Sequence, residues 1–127
     1  MRTKQQSIEE LDVMLSRKFG WDDDEALPMN KLTYQRVKNW INNNISSDII
    51  SPRVSLCPDG SVDLDWYKDD YSLLLNIENK KSLEIHYYGC KWLERGTAKN
   101  TEKVESILLD KETDEKLINF LKKNFKL

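Results

Sequence analysis

Residues 57–66 read CPDGSVDLDW, and the fold turns on how this stretch is parsed. Pro58, Asp59 and Gly60 have the chemistry of a three-residue hairpin loop: Pro presets the first turn dihedral, and Gly supplies the left-handed conformation that closes the loop. Val62, Leu64 and Trp66 then alternate with Ser61, Asp63, Asp65 and Tyr67, the period-2 pattern of a strand with one buried face. Before the turn, Val54 and Leu56 alternate in the same way with Arg53, Ser55 and Cys57. Asp59 is thereby accounted for by turn chemistry, while Asp63 and Asp65 share the polar face of the strand.

The alternation continues downstream. Tyr71, Leu73, Leu75 and Ile77 form a third run, and Leu83, Ile85 and Tyr87 a fourth, separated by the turn signals Lys68-Asp69-Asp70 and Asn79-Lys80-Lys81. Connections this short require antiparallel neighbours, so the region reads as a meander. The stretch GCKWLERGTAKNTEK, residues 89–103, loses the pattern and reads as an irregular exposed segment or long hairpin loop. Val104 to Leu109 is a candidate fifth, edge strand. Keeping the apolar residues on one side sets a register in which Leu56 faces Val62, Trp66 faces Tyr71 and Ile77 faces Leu83. The polar face then carries three rows: Arg53, Asp65, Ser72 and Tyr88; Ser55, Asp63, Leu74 and His86; and Cys57, Ser61, Asn76 and Glu84.

Upstream of Pro52 the period is 3.6. Residues 7–19 predict a helix with Ser7 and Glu10 in capping-box spacing, a stripe of Ile8, Leu11, Leu15 and Phe19, and a stop at Gly20. Trp21 is expected to pack down while Asp22 to Glu25 stay in solvent. A second helix is expected from the cap Asn30 to about Asn43, striped by Tyr34, Val37, Ile41 and Ile45 with Trp40 beside them. A last helix, Thr113 to Asn124, has Asp114 and Glu115 in its first turn and Lys122 and Lys123 in its last, matching the helix dipole. Leu117, Leu121 and Phe125, flanked by Ile118, form its buried stripe. The expectation is an α+β fold in a single domain, 1–127: a helical part at 6–45, a meander at 52–109 and a C-terminal helix at 113–125, with the helices on one face of the sheet.

Composition narrows the function classes. The chain has 127 residues, with 20 basic and 22 acidic side chains and a net charge of −2, too balanced for electrostatics alone to indicate a polyanion partner. The apolar runs fall far short of the ~20 residues of a membrane span, and the N-terminus lacks the apolar core of a secretory signal. A soluble cytoplasmic protein is expected. Two cysteines, Cys57 and Cys90, make neither a disulfide framework nor a zinc spacing. With one histidine, His86, chemistry needing two imidazoles from this chain is excluded. No G-x-S-x-G, Walker or GxGxxG motif occurs, and no cofactor is implied.

The expected register tests candidate chemistry. Asp63 and His86 lie two strands apart, about 10 Å, too far for a base and its orienting group, and a Ser55, Asp63 and His86 triad fails for the same reason. Asp63 and Asp65 point the same way at ~6.7 Å, a spacing at which two carboxylates could share a divalent cation in a metal-dependent hydrolase or nuclease, with Glu84 or His86 assisting. The simpler reading pairs Arg53 with Asp65 across the strands and leaves Asp63 solvated. Tyr67, His86 and Tyr88 on an open face would suit stacking of single-stranded RNA, but Asp63, Asp65, Glu78 and Glu84 would repel phosphates there. A protein partner tolerates mixed charge and favours aromatic and Arg anchors. The expected contact surface is therefore Tyr67, His86, Tyr88, Trp92 and Arg95, on the polar face and the 88–103 segment.

The order of landmarks also resembles a family. Trp21, Asp22, Ala26 and Pro28, a Trp-Asp segment leading to A-x-P, precede a helix; Pro52 and Val54 then lead into Asp59, Gly60, Ser61, Val62, Leu64 and Trp66. Over about residues 20 to 90 this looks like a family of small uncharacterised bacterial and phage proteins. Members usually carry a Gly near the Trp-Asp motif where this chain has Asp23 or Asp24, which points to a different local turn. The resemblance implies helices on a small meander and an accessory or mobile-element gene, and it carries over no catalytic residue. The functional expectation is a non-enzymatic protein-binding or inhibitory accessory protein, of anti-defence or antitoxin type.

Overall fold

The computed structural model describes residues 2–22, 24–79, 85–94, 103–109 and 114–127. Among them the chain order is α1 (Lys4–Leu15), α2 (Lys31–Asn44), β1 (Arg53–Leu56), β2 (Val62–Lys68), β3 (Tyr71–Ile77), β4 (Ile85–Glu94), β5 (Lys103–Leu108) and α3 (Asp114–Asn124). The strands form one antiparallel sheet in the order β1-β2-β3-β4-β5. Each strand pairs with its sequence neighbour. The fold is α+β. No helix among the described residues is long and apolar enough to cross a membrane.

The Pro58-Asp59-Gly60 loop closes as its residues dictate. The Cys57 N–H donates to Ser61 O at 2.8 Å and the Gly60 N–H to Cys57 O at 2.9 Å, leaving Leu56 opposite Val62. Asp59 Oδ1 accepts from the Ser61 N–H at 2.9 Å and from Ser61 Oγ at 2.5 Å. Gly60 has φ +84°, and a Cβ there would sit 2.3 Å from Asn79 Nδ2 and 3.0 Å from Pro28 O. Glycine is therefore required twice, by backbone conformation and by space. Asn79 itself joins the loop to α2: its Oδ1 accepts from Thr33 Oγ1 at 3.0 Å and Asn30 Nδ2 at 2.5 Å.

The register after β2 differs from the expected one by two residues. Lys68 lies opposite Tyr71 and Trp66 opposite Leu73. Lys68 is the last strand residue and not part of the turn, which leaves a two-residue hairpin of Asp69 and Asp70 with Asp69 at φ 55°, a left-handed conformation that Asp tolerates. Ile77 faces Ile85, and its expected partner Leu83 lies outside the described residues. A shift of two preserves the faces because side chains alternate with period 2. What changes is which polar residues become neighbours.

β4 is longer than the sequence suggests. Residues 89–94, expected to be irregular, continue the strand to Glu94, and β5 begins at Lys103. The alternation is obscured by register shifts between Gly89 and Cys90 and between Trp92 and Glu94. Gly89 is needed for packing: a Cβ there would lie 2.9 Å from the Phe120 ring. Residues 95–102 lie outside the described residues.

The helices differ from expectation chiefly in α1. Its cap is Thr3, which forms a capping box with Gln6, one turn before the expected Ser7. Ser7 is instead buried in the helix. Its Oγ donates to Pro52 O at 2.5 Å and pairs with Ser51 Oγ at 2.7 Å. The helix stops at Leu15, so Phe19 leaves the stripe and is 65% exposed. Trp21 packs against the core, as expected, with its Nε1–H on Leu27 O at 2.9 Å. α2 follows its prediction: Asn30 Oδ1 caps the Thr33 N–H at 2.7 Å, and Val37 and Ile41 are buried.

The buried helix residues Leu11, Val37, Ile41, Leu117, Phe120 and Leu121 join Val54, Leu56, Val62, Leu64, Leu73, Leu75 and Ile77 in one core. Trp66 stands at its centre. Its ring lies 5.9 Å edge-on from Trp40 and 6.4 Å from Phe125, and its Nε1–H donates to Ile50 O at 2.8 Å. The tail is tied down alongside: the Ile50 N–H donates to Phe125 O and the Leu127 N–H to Asp48 O, each at 2.8 Å.

Candidate functional site

With the register settled, the polar residues of the sheet fall into different rows. Arg53, Asp65, Leu74 and Tyr88 lie side by side across β1 to β4, and Ser55, Asp63, Asn76 and His86 form the next row. Ser72 moves beside Tyr67 and Cys90. Asp63 and His86 remain two strands apart, because the shifts on either side of β3 cancel, but the residue between them is Asn76 and not Leu74.

That exchange gives Asp63 a structural task. Asn76 Nδ2 donates to Asp63 Oδ1 at 2.8 Å and to Ser61 Oγ at 3.0 Å. A hydrogen-bonded chain thus runs from Asp59 in the turn through Ser61 and Asn76 to Asp63, and the expectation of a solvated Asp63 is corrected. His86 Nε2 meets Glu78 Oε1 at 2.7 Å. Among the described residues, no group of three or more His, Cys, Asp or Glu side chains is arranged to hold a metal ion.

Asp65 also differs from expectation. It lies opposite Arg53, yet the Arg53 guanidinium makes no hydrogen bond or contact ion pair among the described residues. Burial pushes the Asp65 carboxyl above its usual range, opposed by the charges of Arg53 and Arg2 and reinforced by Asp63. The fold therefore disfavours the charged form relative to the unfolded chain. A raised folded pKa makes the contribution of the group most favourable at low pH and erodes it as pH rises through the folded pKa. Asp65→Asn is expected to raise the urea midpoint at pH 7, with the gain over wild type shrinking at pH 3, where Asp65 is protonated. A gain of equal size at both pH values would contradict this origin.

Cys57 and Cys90 are both free thiols, the first half-buried and the second buried. Burial pushes the Cys57 thiol up to about 11, offset in part by a hydrogen bond from Ser61 and reinforced by the Asp63 charge. Such a thiol is a poor nucleophile at neutral pH, because the thiolate is the reacting form. Its alkylation by iodoacetamide at pH 8 should run roughly tenfold slower than that of a free cysteine, the lost thiolate being partly offset by greater intrinsic nucleophilicity. Peptide mapping after timed alkylation reads this, and a rate at or above the free value would refute it.

The expected contact surface is partly assembled. Tyr67 and Tyr88 are 55% and 38% exposed; Trp92 is half-buried, with its Nε1–H on Ser72 Oγ at 2.7 Å. These three line one open groove of about 670 Å³, together with Arg53, Asp65 and Leu74. Tyr88 is steadied by a 2.8 Å hydrogen bond between its hydroxyl and Ser106 Oγ. His86 is not among the groove residues and is engaged with Glu78. Arg95 and Glu84 lie outside the described residues. Leu74, 43% exposed, is the groove residue the sequence reading passed over, although an apolar side chain at a polar-face position was its signal. Arg2 also lines the groove; nothing local in sequence places it there, since it arrives through the packing of α1 on β1.

No protein-family model, curated protein or solved structure matches this chain.

Proposed function

We propose that this is a non-enzymatic binding protein that docks another protein on the open face of its sheet, the face opposite the helices. The observation that carries the reading is the clustering of Tyr67, Leu74, Tyr88 and Trp92 around one groove. Aromatics held in place by hydrogen bonds, as Tyr88 is by Ser106 and Trp92 by Ser72, bury large area at little entropic cost, which is how interface anchors work. The neighbouring polar groups are occupied with structure: Asp59 and Asp63 through Ser61 and Asn76, and His86 with Glu78. Cys57 lies near Asp63, but burial pushes its thiol up to about 11, which leaves little thiolate for nucleophilic chemistry at neutral pH. The family resemblance suggests an accessory gene of a phage or mobile element as the setting, in which the protein would act in the cytoplasm as an inhibitor or accessory factor.

The test is affinity capture from host lysate with wild type and with a Tyr88→Ala, Trp92→Ala double variant whose fold is verified by circular dichroism. The double variant is expected to lose the partner. Retention of the same partner at the same yield would remove the groove from the account.

A further inference from the structure

The groove carries a charge asymmetry that the whole chain does not. Among the described residues its lining holds three cations, Arg2, Arg53 and Lys68, against one carboxylate, Asp65, whereas the chain is balanced at −2 overall. Two of the cations are committed: Arg2 pairs with Glu10, and Lys68 Nζ donates to Lys126 O at 2.5 Å. Arg53 is not, its guanidinium making no hydrogen bond or contact ion pair among the described residues. It is exposed at the β1 end of the row that continues through Asp65 and Leu74 to Tyr88. Three strand spacings, about 14 Å at ~4.8 Å each, separate the backbones at the two ends of that row.

We infer that the groove takes an extended partner segment bearing a carboxylate side chain, with Arg53 as its ion-pairing group at the β1 edge and Tyr67, Leu74 and Tyr88, on β2 to β4, holding the apolar side chains that follow it. This rests on the docking reading above and specifies what that surface recognises. A guanidinium presents a fork that a carboxylate fits in bidentate fashion. Asp65, its neighbour in the register, makes no contact ion pair with it among the described residues. A partner carboxylate arriving from solvent would be drawn by Arg53 and Lys68, whose two charges outweigh that of Asp65, and its neighbouring apolar side chains would lie over Leu74 and Tyr88. A basic segment would meet the same cations as repulsion.

The experiment uses the full chain and three labelled hexapeptides on one scaffold: Glu-Leu-Glu-Tyr-Glu-Leu and its analogues with Gln or Lys in place of every Glu. Binding is read by fluorescence anisotropy and located by amide chemical shifts. The Glu peptide should bind about tenfold more tightly than the Gln peptide, the usual scale of a charge-assisted hydrogen bond, and the Lys peptide more weakly than either. Shifts should centre on Arg53, Tyr67, Leu74 and Tyr88. Arg53→Gln should abolish the preference for Glu over Gln, Arg53→Lys should restore part of it, and Lys31→Gln on α2 should leave it unchanged. Equal binding of the Glu and Gln peptides, a preference that survives Arg53→Gln, or no peptide shifting the groove at millimolar concentration would each overturn the carboxylate assignment. None of these decides the docking face itself, which stands or falls on the capture experiment with the Tyr88→Ala, Trp92→Ala variant.

Discussion

Trp66→Ala is expected to destabilise the protein by about 3–5 kcal/mol, the range for removing a large aromatic from a packed core. Three losses coincide at this position. The ring is 3% exposed, so nearly all of its burial is forfeited and a cavity is left between α2 and the sheet. Its edge-on contact with Trp40 and its contact with Phe125 disappear. Ile50 O loses the donor that reaches it from the indole, in a segment that also anchors the C-terminal tail. Against a typical total of ~5–15 kcal/mol for a domain, the variant should unfold at a much lower urea concentration. Trp66→Phe, which keeps most of the volume and loses only the indole donor and part of the area, should fall between the two. A wild-type midpoint for Trp66→Ala would mean that the tail and α2 do not converge on this ring.

Gly60→Ala is expected to cost about 3 kcal/mol, a large effect for one methyl group on a surface turn. The left-handed backbone accounts for about 1–2 kcal/mol of it. The remainder follows from position: the new Cβ would occupy the place of Asn79 Nδ2, 2.3 Å away, and press on Pro28 O. Asn79 would have to withdraw from Thr33 and Asn30, and each lost hydrogen bond contributes about 1 kcal/mol. Asn79→Ala in the wild-type background separates the two parts. It opens the space, so adding Gly60→Ala on top of it should cost only the backbone share, and the double variant should be more stable than additivity predicts. Strict additivity in urea denaturation would contradict the contact between the loop and Asn79.

The sheet was legible because two kinds of signal agreed at each strand: period-2 alternation and turn residues with a mechanism. Pro58-Asp59-Gly60 specified both the loop length and the pairing of Leu56 with Val62, and both hold. Lys68 is where legibility failed. A lysine beside two aspartates looks like turn composition, yet only Asp69 adopts the turn conformation that matters, and composition does not distinguish a two-residue loop from a four-residue one. Gly89 misled in the opposite sense, since it resembled the start of a loop although Phe120, far away in sequence, is what requires it. Ser7 offered a capping signal that Thr3 and Gln6 satisfied one turn earlier, and its burial against Pro52 depends on tertiary packing alone.

The candidate site followed the same rule. Tyr67, Tyr88 and Trp92 were visible as aromatics at polar-face or irregular positions, and they do share a groove. The uncommitted state of Arg53 was not visible, because whether a guanidinium closes on the carboxylate opposite depends on side-chain placement that register alone does not specify. Asp63 was misjudged through a two-residue slip in the register. Leu74 was expected beside it, whereas Asn76 is there and binds it.

The most direct measurement of the central claim is amide hydrogen exchange on the full chain with and without its captured partner. Docking on the open sheet face predicts slowed exchange confined to β1 to β4, together with broadening or shift of the Tyr67, Leu74, Tyr88 and Trp92 side-chain signals. Protection centred instead on β5, where Ile107 is exposed, or on the outer surface of α2, with those four side chains unchanged, would contradict it.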